Sequence, residues 1–155
     1  MLAGLVPEAD GVVILSSGLG FTVEETVLAA VPPAARDGVA AQLAAARRTR
    51  STSERFGGHS HHWWANAVDM RPVTTLLPLD VPVLVVQGDR DTSAIPESAR
   101  AGVAILKAAG RPVTYHEHPG LDHSMKDEAG EDRRPEVHAE IGAWVAAVLA
   151  GRKMR

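Results

Sequence analysis

The chain has 155 residues, 45% of them hydrophobic and 23% charged, and it contains no cysteine. That length holds one ordinary domain with a buried core, and the composition excludes a disordered or collagen-like chain. The 16 lysines and arginines against 19 acidic residues leave a formal charge of -3. This balance gives no electrostatic case for nucleic acid or an anionic membrane as partner.

The lack of cysteine excludes disulfides, zinc–cysteine clusters, iron–sulfur ligation and a thiol nucleophile. The first ten residues carry two acids and no basic leader, and no uncharged apolar run reaches the roughly 18–20 residues that span a bilayer. A cytoplasmic protein is expected.

The first predicted strand is Gly11 to Leu15 (GVVIL), closed by Ser16-Ser17-Gly18. A capping box follows at Thr22-Val23-Glu24-Glu25, opening a helix that Pro32-Pro33 stops. Ala34 to Arg50 reads as a second helix, with a basic last turn that suits the helix dipole. Residues 50–62 are polar and glycine-containing, and read as an exposed loop. Trp63 and Trp64 begin a further short helix and are better placed in a core than in a pocket.

The second strand is Val81 to Val86 (VPVLVV), ended by Gln87-Gly88-Asp89, and the third is Pro112 to His116 (PVTYH). The first two are continuous and β-branched, as in strands covered on both faces of a parallel sheet. Pro96 to Ala109 forms a helix between the second and third strands, with Gly110 as its stop. After a mixed-charge loop at 126–134, Pro135 opens the last helix, which Gly151 is expected to end. Its stripe of Val137, Ile141, Trp144, Val145, Val148 and Leu149 has helical spacing. The alternation predicts an α/β architecture: three layers, with a mostly parallel sheet flanked by helices.

In such a sheet, ligands and catalytic groups collect beyond the C-terminal strand ends. Gly88-Asp89-Arg90-Asp91 follows the second strand, and Pro119-Gly120-Leu121-Asp122-His123-Ser124 follows the third. A carboxylate and a histidine on adjacent strand ends can meet, fixing the imidazole tautomer and freeing its second nitrogen as a base. VPVLVVQGDRD followed by VTYHEHPGLDHSM resembles the C-terminal third of the α/β-hydrolase superfamily, the serine esterases, lipases and peptidases.

The resemblance implies that Asp91 is the triad acid and His123 the base, with Asp89 a lesser candidate for the acid. It also implies that 19–71 is a helical cap inserted into a partial α/β-hydrolase domain spanning 1–155. The substrate class implied is a small acyl compound, an ester, thioester or amide, with no cofactor and no metal.

The superfamily orders its triad Ser, Asp or Glu, His, with the serine in a G-x-S-x-G elbow between strand and helix. No G-x-S-x-G occurs in this sequence. Ser16 and Ser17 lack the flanking small residues, and Gly58-His59-Ser60-His61-His62 has His62 where the last glycine belongs. The elbow is expected upstream of residue 1, making this chain the C-terminal half of a truncated or split hydrolase, inactive alone.

Rival readings remain beside this one. A non-catalytic binding or assembly protein would use the Gly11 to Leu15 strand edge, either for self-association or for a partner chain. Ser17-Gly18-Leu19-Gly20 resembles a phosphate loop but lacks a third glycine and a lysine, so a nucleotide-binding domain is the weaker alternative. His59, His61 and His62, with His116 and His118, raise a metal site, but a glycine-flanked loop does not promise the convergent geometry one needs, and a surface loop is the better reading. Ser124 is better read as a turn cap and His138 as a solvated helix-flank residue.

Overall fold

The computed structural model describes residues 9–152. The elements run β1 (Val12–Leu15), α1 (Val23–Ala30), α2 (Arg36–Thr49), β2 (Arg55–Phe56), β3 (His59–Ser60), α3 (His61–Ala67), β4 (Val83–Gly88), α4 (Pro96–Ala108), β5 (Val113–His118) and α5 (Arg134–Arg152). They form two compact units: Phe21–Arg71, and the residues before and after it in the chain.

The strand-bearing unit is built on a three-stranded sheet in the order β1-β4-β5. All pairing in it is parallel, with Val12 opposite Val83, and Val83 opposite Val113 through to Gly88 opposite His118. Every residue of β4 is buried. The reason lies in the two-residue period of a strand. Val83 and Val85 join a cluster with Leu19, Leu76, Ala99, Val103 and Leu106, on the side of α4. Leu84 and Val86 join Leu121, Met125 and Val137 on the other side, where Ile141 and Trp144 of α5 pack. The central strand therefore needs apolar side chains at consecutive positions. Each such fully buried Val or Leu contributes roughly 1.5–3 kcal/mol.

β5 is longer than its sequence pattern suggests, because it carries alternating polar pairs. Glu117 takes Arg100 of α4 at 2.6 Å, while Glu140 of α5 lies against both His116 and, at 3.3 Å, His118. These charged groups blunt one edge of the sheet. α5 passes through Gly151 to Arg152 instead of ending before it. A glycine lowers helix propensity but does not remove a hydrogen-bond donor, so it need not stop the last turn.

The segment Leu19-Gly20 packs hard against α4. The amides of Leu19 and Gly20 donate to Ser98 Oγ and Ser98 O at 3.0 and 2.8 Å. A Cβ on Gly20 would lie 2.2 Å from the Gly102 nitrogen, and one on Gly102 would lie 2.4 Å from Leu19 Cγ. The glycine and the two amides of this turn thus serve strand-to-helix packing, and those amides are spent on Ser98. That removes the basis of the phosphate-loop reading.

The helical unit has its own core of Leu43, Ala46, Trp64 and Val68, flanked by Val23, Val27, Val39 and Phe56. The capping box forms as expected, with Glu25 N donating to Thr22 Oγ1 at 3.1 Å and Thr22 N to Glu25 Oε2 at 2.6 Å. Arg47, in the basic last turn of α2, pairs with Glu24 at 2.8 Å and Asp69 at 2.6 Å, so it ties three segments together as well as meeting the helix dipole. The polar stretch at 50–62 is not all loop. It folds into the β2–β3 hairpin around Gly57 and Gly58, both at positive φ, and Ser60 caps α3 by accepting from Trp63 N at 3.2 Å.

The glycine packing gives a stability test. Alanine at Gly102 adds about 0.5–1 kcal/mol of helix propensity, yet must displace Leu19, and overpacking of that kind costs about 1–3 kcal/mol. Urea unfolding should rank Gly20→Ala as the most destabilised, because its new Cβ meets backbone, with Gly102→Ala next. Gly142→Ala, in open space on α5, should be more stable than the parent. A Gly20→Ala protein as stable as the parent would contradict the close approach.

Candidate active site

The C-terminal ends of β4 and β5 lie side by side, and the loops leaving them are laced together. Asp89 N donates to His118 O at 3.1 Å and Arg90 N to Leu121 O at 3.0 Å. Asp89 Oδ1 accepts from Gly120 N at 2.7 Å. This closeness requires a glycine at 88, since a Cβ there would stand 2.3 Å from Leu121 O. Gly120, at φ +77°, supplies the left-handed turn that brings the second loop back.

Within this junction the structure brings Asp91 and His123 together. His123 Nδ1 lies 2.9 Å from Asp91 Oδ2. The Asp91 side chain is wholly buried, whereas half of the His123 side chain is exposed. A buried carboxylate must be matched by donors, and Asp91 has a full set. Oδ1 accepts from Ser93 N at 2.8 Å and Ala94 N at 2.7 Å, and Oδ2 accepts from Gln87 Nε2 at 2.8 Å as well as facing His123. With both oxygens held, the acid can orient an imidazole without itself moving. Asp89, the lesser candidate, is engaged with Gly120 and makes no bond to His123.

Gln87 is the residue that the sequence reasoning passed over. It is fully buried at the end of an apolar strand, and a lone polar residue there is the signal that should have raised it. Ser124 sits in the turn after His123 and donates its amide to Asp122 Oδ1 at 2.8 Å; its place is that of a turn residue, as expected. His138 is exposed.

The other histidines go separate ways. His61 is buried against Thr49 Oγ1 at 2.8 Å, with Glu54 at 3.3 Å. His59 stacks on Trp63 at a centroid distance of 3.9 Å, and His62 meets Asn66 at 3.3 Å. Among the described residues no three His, Asp or Glu side chains converge in a way that could hold a metal ion. Trp64 is core, donating Nε1 to Phe56 O at 2.7 Å, while Trp63 is 42% exposed. No helix among the described residues is long and apolar enough to cross a membrane.

The His123 loop is shaped by Asp122, whose Oδ1 also accepts from Lys126 N at 2.9 Å. The Lys126 amide first, and then that of Ser124, holds this carboxyl below its ordinary value against the opposing effect of burial. A folded-state value that is depressed adds stability above the unfolded value, near 3.8, and that stability is lost as pH falls through the folded value. Amide exchange at Ser124 and Lys126 should therefore accelerate relative to the core amides below that pH. Asp122→Asn should abolish this acid step; a loop whose protection ignores pH would contradict it.

The sequence pattern of the prolyl oligopeptidase family matches residues 35–152. Among solved structures, the crystal structure of the esterase RhEst1 from Rhodococcus sp. ECU1013 is similar at 15% identity with a TM-score of 0.45. That match covers 90% of this chain and 56% of the esterase, so the chain spans little more than half of that structure's length. No curated protein matches the chain.

Proposed function

The chain belongs to the prolyl oligopeptidase family, within the α/β-hydrolase superfamily, and from that premise we propose that Asp91 and His123 are the acid and base of a serine-hydrolase triad. The observation that carries this reading is the 2.9 Å contact between a fully buried carboxylate and a half-exposed imidazole. Asp91 keeps the proton on Nδ1, and Nε2 is left to take the proton of an attacking hydroxyl. When the hydroxyl oxygen adds to an ester, thioester or amide carbonyl, His123 accepts that proton and then delivers it to the leaving group. The insertion at 19–71 would serve as the cap of this hydrolase.

The hydroxyl is not in this chain, which has no G-x-S-x-G and no cysteine. On this reading the nucleophile would be supplied by further polypeptide. Without it the covalent route is closed, so the purified chain should not turn over activated acyl esters or chromogenic prolyl amides. It should also resist labelling by a fluorophosphonate. Stoichiometric labelling of one serine would show that the nucleophile is here and that the proposal misplaces it.

One surface favours a second, non-catalytic reading, assembly with another copy of the chain. β1 pairs with β4 alone among the described strands. Its inward residues Val12 and Ile14 pack in the core, but Val13 and Leu15 are more than a third exposed. Beside them, α5 has ten residues from Gly142 to Gly151 without a polar side chain. Gly11, Val13, Trp144, Val145, Val148 and Leu149 line the trough between strand and helix, with Asp10 its one charged residue.

A helix that is apolar all round belongs inside a structure, and a parallel sheet is normally covered on both faces. Among the described residues, part of the β1 face and part of the neighbouring α5 surface thus stay exposed. A twofold axis lets each copy's α5 cover the other's β1, with no charge in the helical stretch to oppose self-association. Sedimentation should show a dimer, and Val145→Glu with Leu149→Lys should yield a more soluble monomer. A parent chain that stays monomeric at high concentration would remove this reading.

A further inference from the structure

Gln87 occupies the last apolar-strand position before the Gly88 junction, with no exposed surface. Its Nε2 lies 2.8 Å from Asp91 Oδ2, 3.0 Å from Ala94 O and 3.3 Å from Gly88 O. All three neighbours are acceptors, so the amide fits in one orientation only, nitrogen toward the carboxylate. At the other end of the group, Oε1 is buried with no hydrogen-bond partner among the described residues. A side chain needed only for packing would be apolar, like its neighbours Val85 and Val86. A buried amide with an unmatched oxygen persists where its nitrogen is needed.

The need is visible at Asp91. Two loop amides hold Oδ1, but they leave the tilt of Oδ2 to whatever binds it. On that side the bonding partners are His123, half exposed on a turn, and Gln87, locked in the strand. We propose that Gln87 is a positioning residue for the Asp91–His123 pair. By donating to Oδ2 from a rigid strand, it keeps that oxygen facing Nδ1, and so keeps the neutral imidazole in the form protonated at Nδ1 with Nε2 free. This rests on the reading of Asp91 and His123 as acid and base, and it assigns the pair's geometry to β4 as well as to its own loops.

The test is the tautomer of His123, read by nitrogen-15 NMR of the imidazoles in the intact chain at a pH where His123 is neutral. The parent should show the Nδ1-protonated form in excess. Gln87→Met keeps the length and burial but removes the donor, and should move the ratio toward the Nε2-protonated form by about tenfold, the scale of one hydrogen bond to a carboxylate. Gln87→Asn, whose nitrogen falls a methylene short of Asp91, should shift it in the same direction, and serves if the methionine variant does not fold. Val85→Ala weakens the same strand without touching the pair and should leave the ratio unchanged.

The outcomes separate. A parent lacking the Nδ1-protonated excess overturns the acid–base reading and this inference with it. A parent that has it, with Gln87 variants that keep it unaltered, overturns the role of Gln87 alone. Equal shifts in the Gln87 and Val85 variants would assign the effect to a loosened strand and equally overturn it.

Discussion

The buried carboxylate of Asp91 is the constraint around which the strand-bearing unit is arranged. A carboxyl group without exposed surface stands only if hydrogen bonds replace its water. Here the replacements come from the strand before it, the turn after it and a loop contributed by the neighbouring strand. To bring that second loop close enough, β4 must end on a residue without a side chain, and β5 must run parallel to reach the same end of the sheet. The parallel register in turn demands a crossover helix, α4, whose approach is set by Leu19, Gly20 and Gly102. The geometry of one acid therefore depends on glycines at positions 20, 88 and 102, only one of which lies near it in the chain.

What was legible in the sequence follows from how each element meets its neighbours. β4 and the capping box of α1 could be read because their causes are local: one is a run of residues buried on both faces, the other a pair of side chains three residues apart. Asp91 and His123 were readable as strand-end residues in the expected order, although nothing local says that they touch. β5 was underestimated because its polar residues answer to partners 17 and 24 positions away, Arg100 for Glu117 and Glu140 for His116. The β2–β3 hairpin hid in a polar stretch too short for any periodicity. Gln87 was missed because a glutamine beside a turn reads as solvated until the depth of the strand is known.

The same distinction bears on the phosphate-loop likeness, the weaker alternative. A glycine pair after a strand is required both where backbone approaches a phosphate and where backbone approaches a helix. Only the destination of the amides separates the two, and at Leu19 and Gly20 that destination is Ser98.

The two edges of the sheet are treated in opposite ways, and the contrast bears on what kind of object this chain is. On the β5 side, Glu117 pairs with Arg100 of α4 while His116 and His118 lie against Glu140 of α5, and polar groups of this kind discourage another strand from adding there. On the β1 side no such guard exists among the described residues: Val13 and Leu15 are partly exposed beside a helix whose stretch 142–151 carries no charged side chain. A sheet designed to stand alone protects both edges. One edge is thus rich in polar groups and the other apolar, and the Asp91–His123 pair lies at the C-terminal ends of the neighbouring strands. Cover at β1 by a strand running parallel to it would end at that same rim of the sheet, where a serine would have to stand to reach His123. Cover by a second copy would instead satisfy the apolar surface while leaving the pair without its nucleophile. The unguarded edge thus decides between an incomplete catalyst and an assembly module, and it does so by the direction of the strand that occupies it.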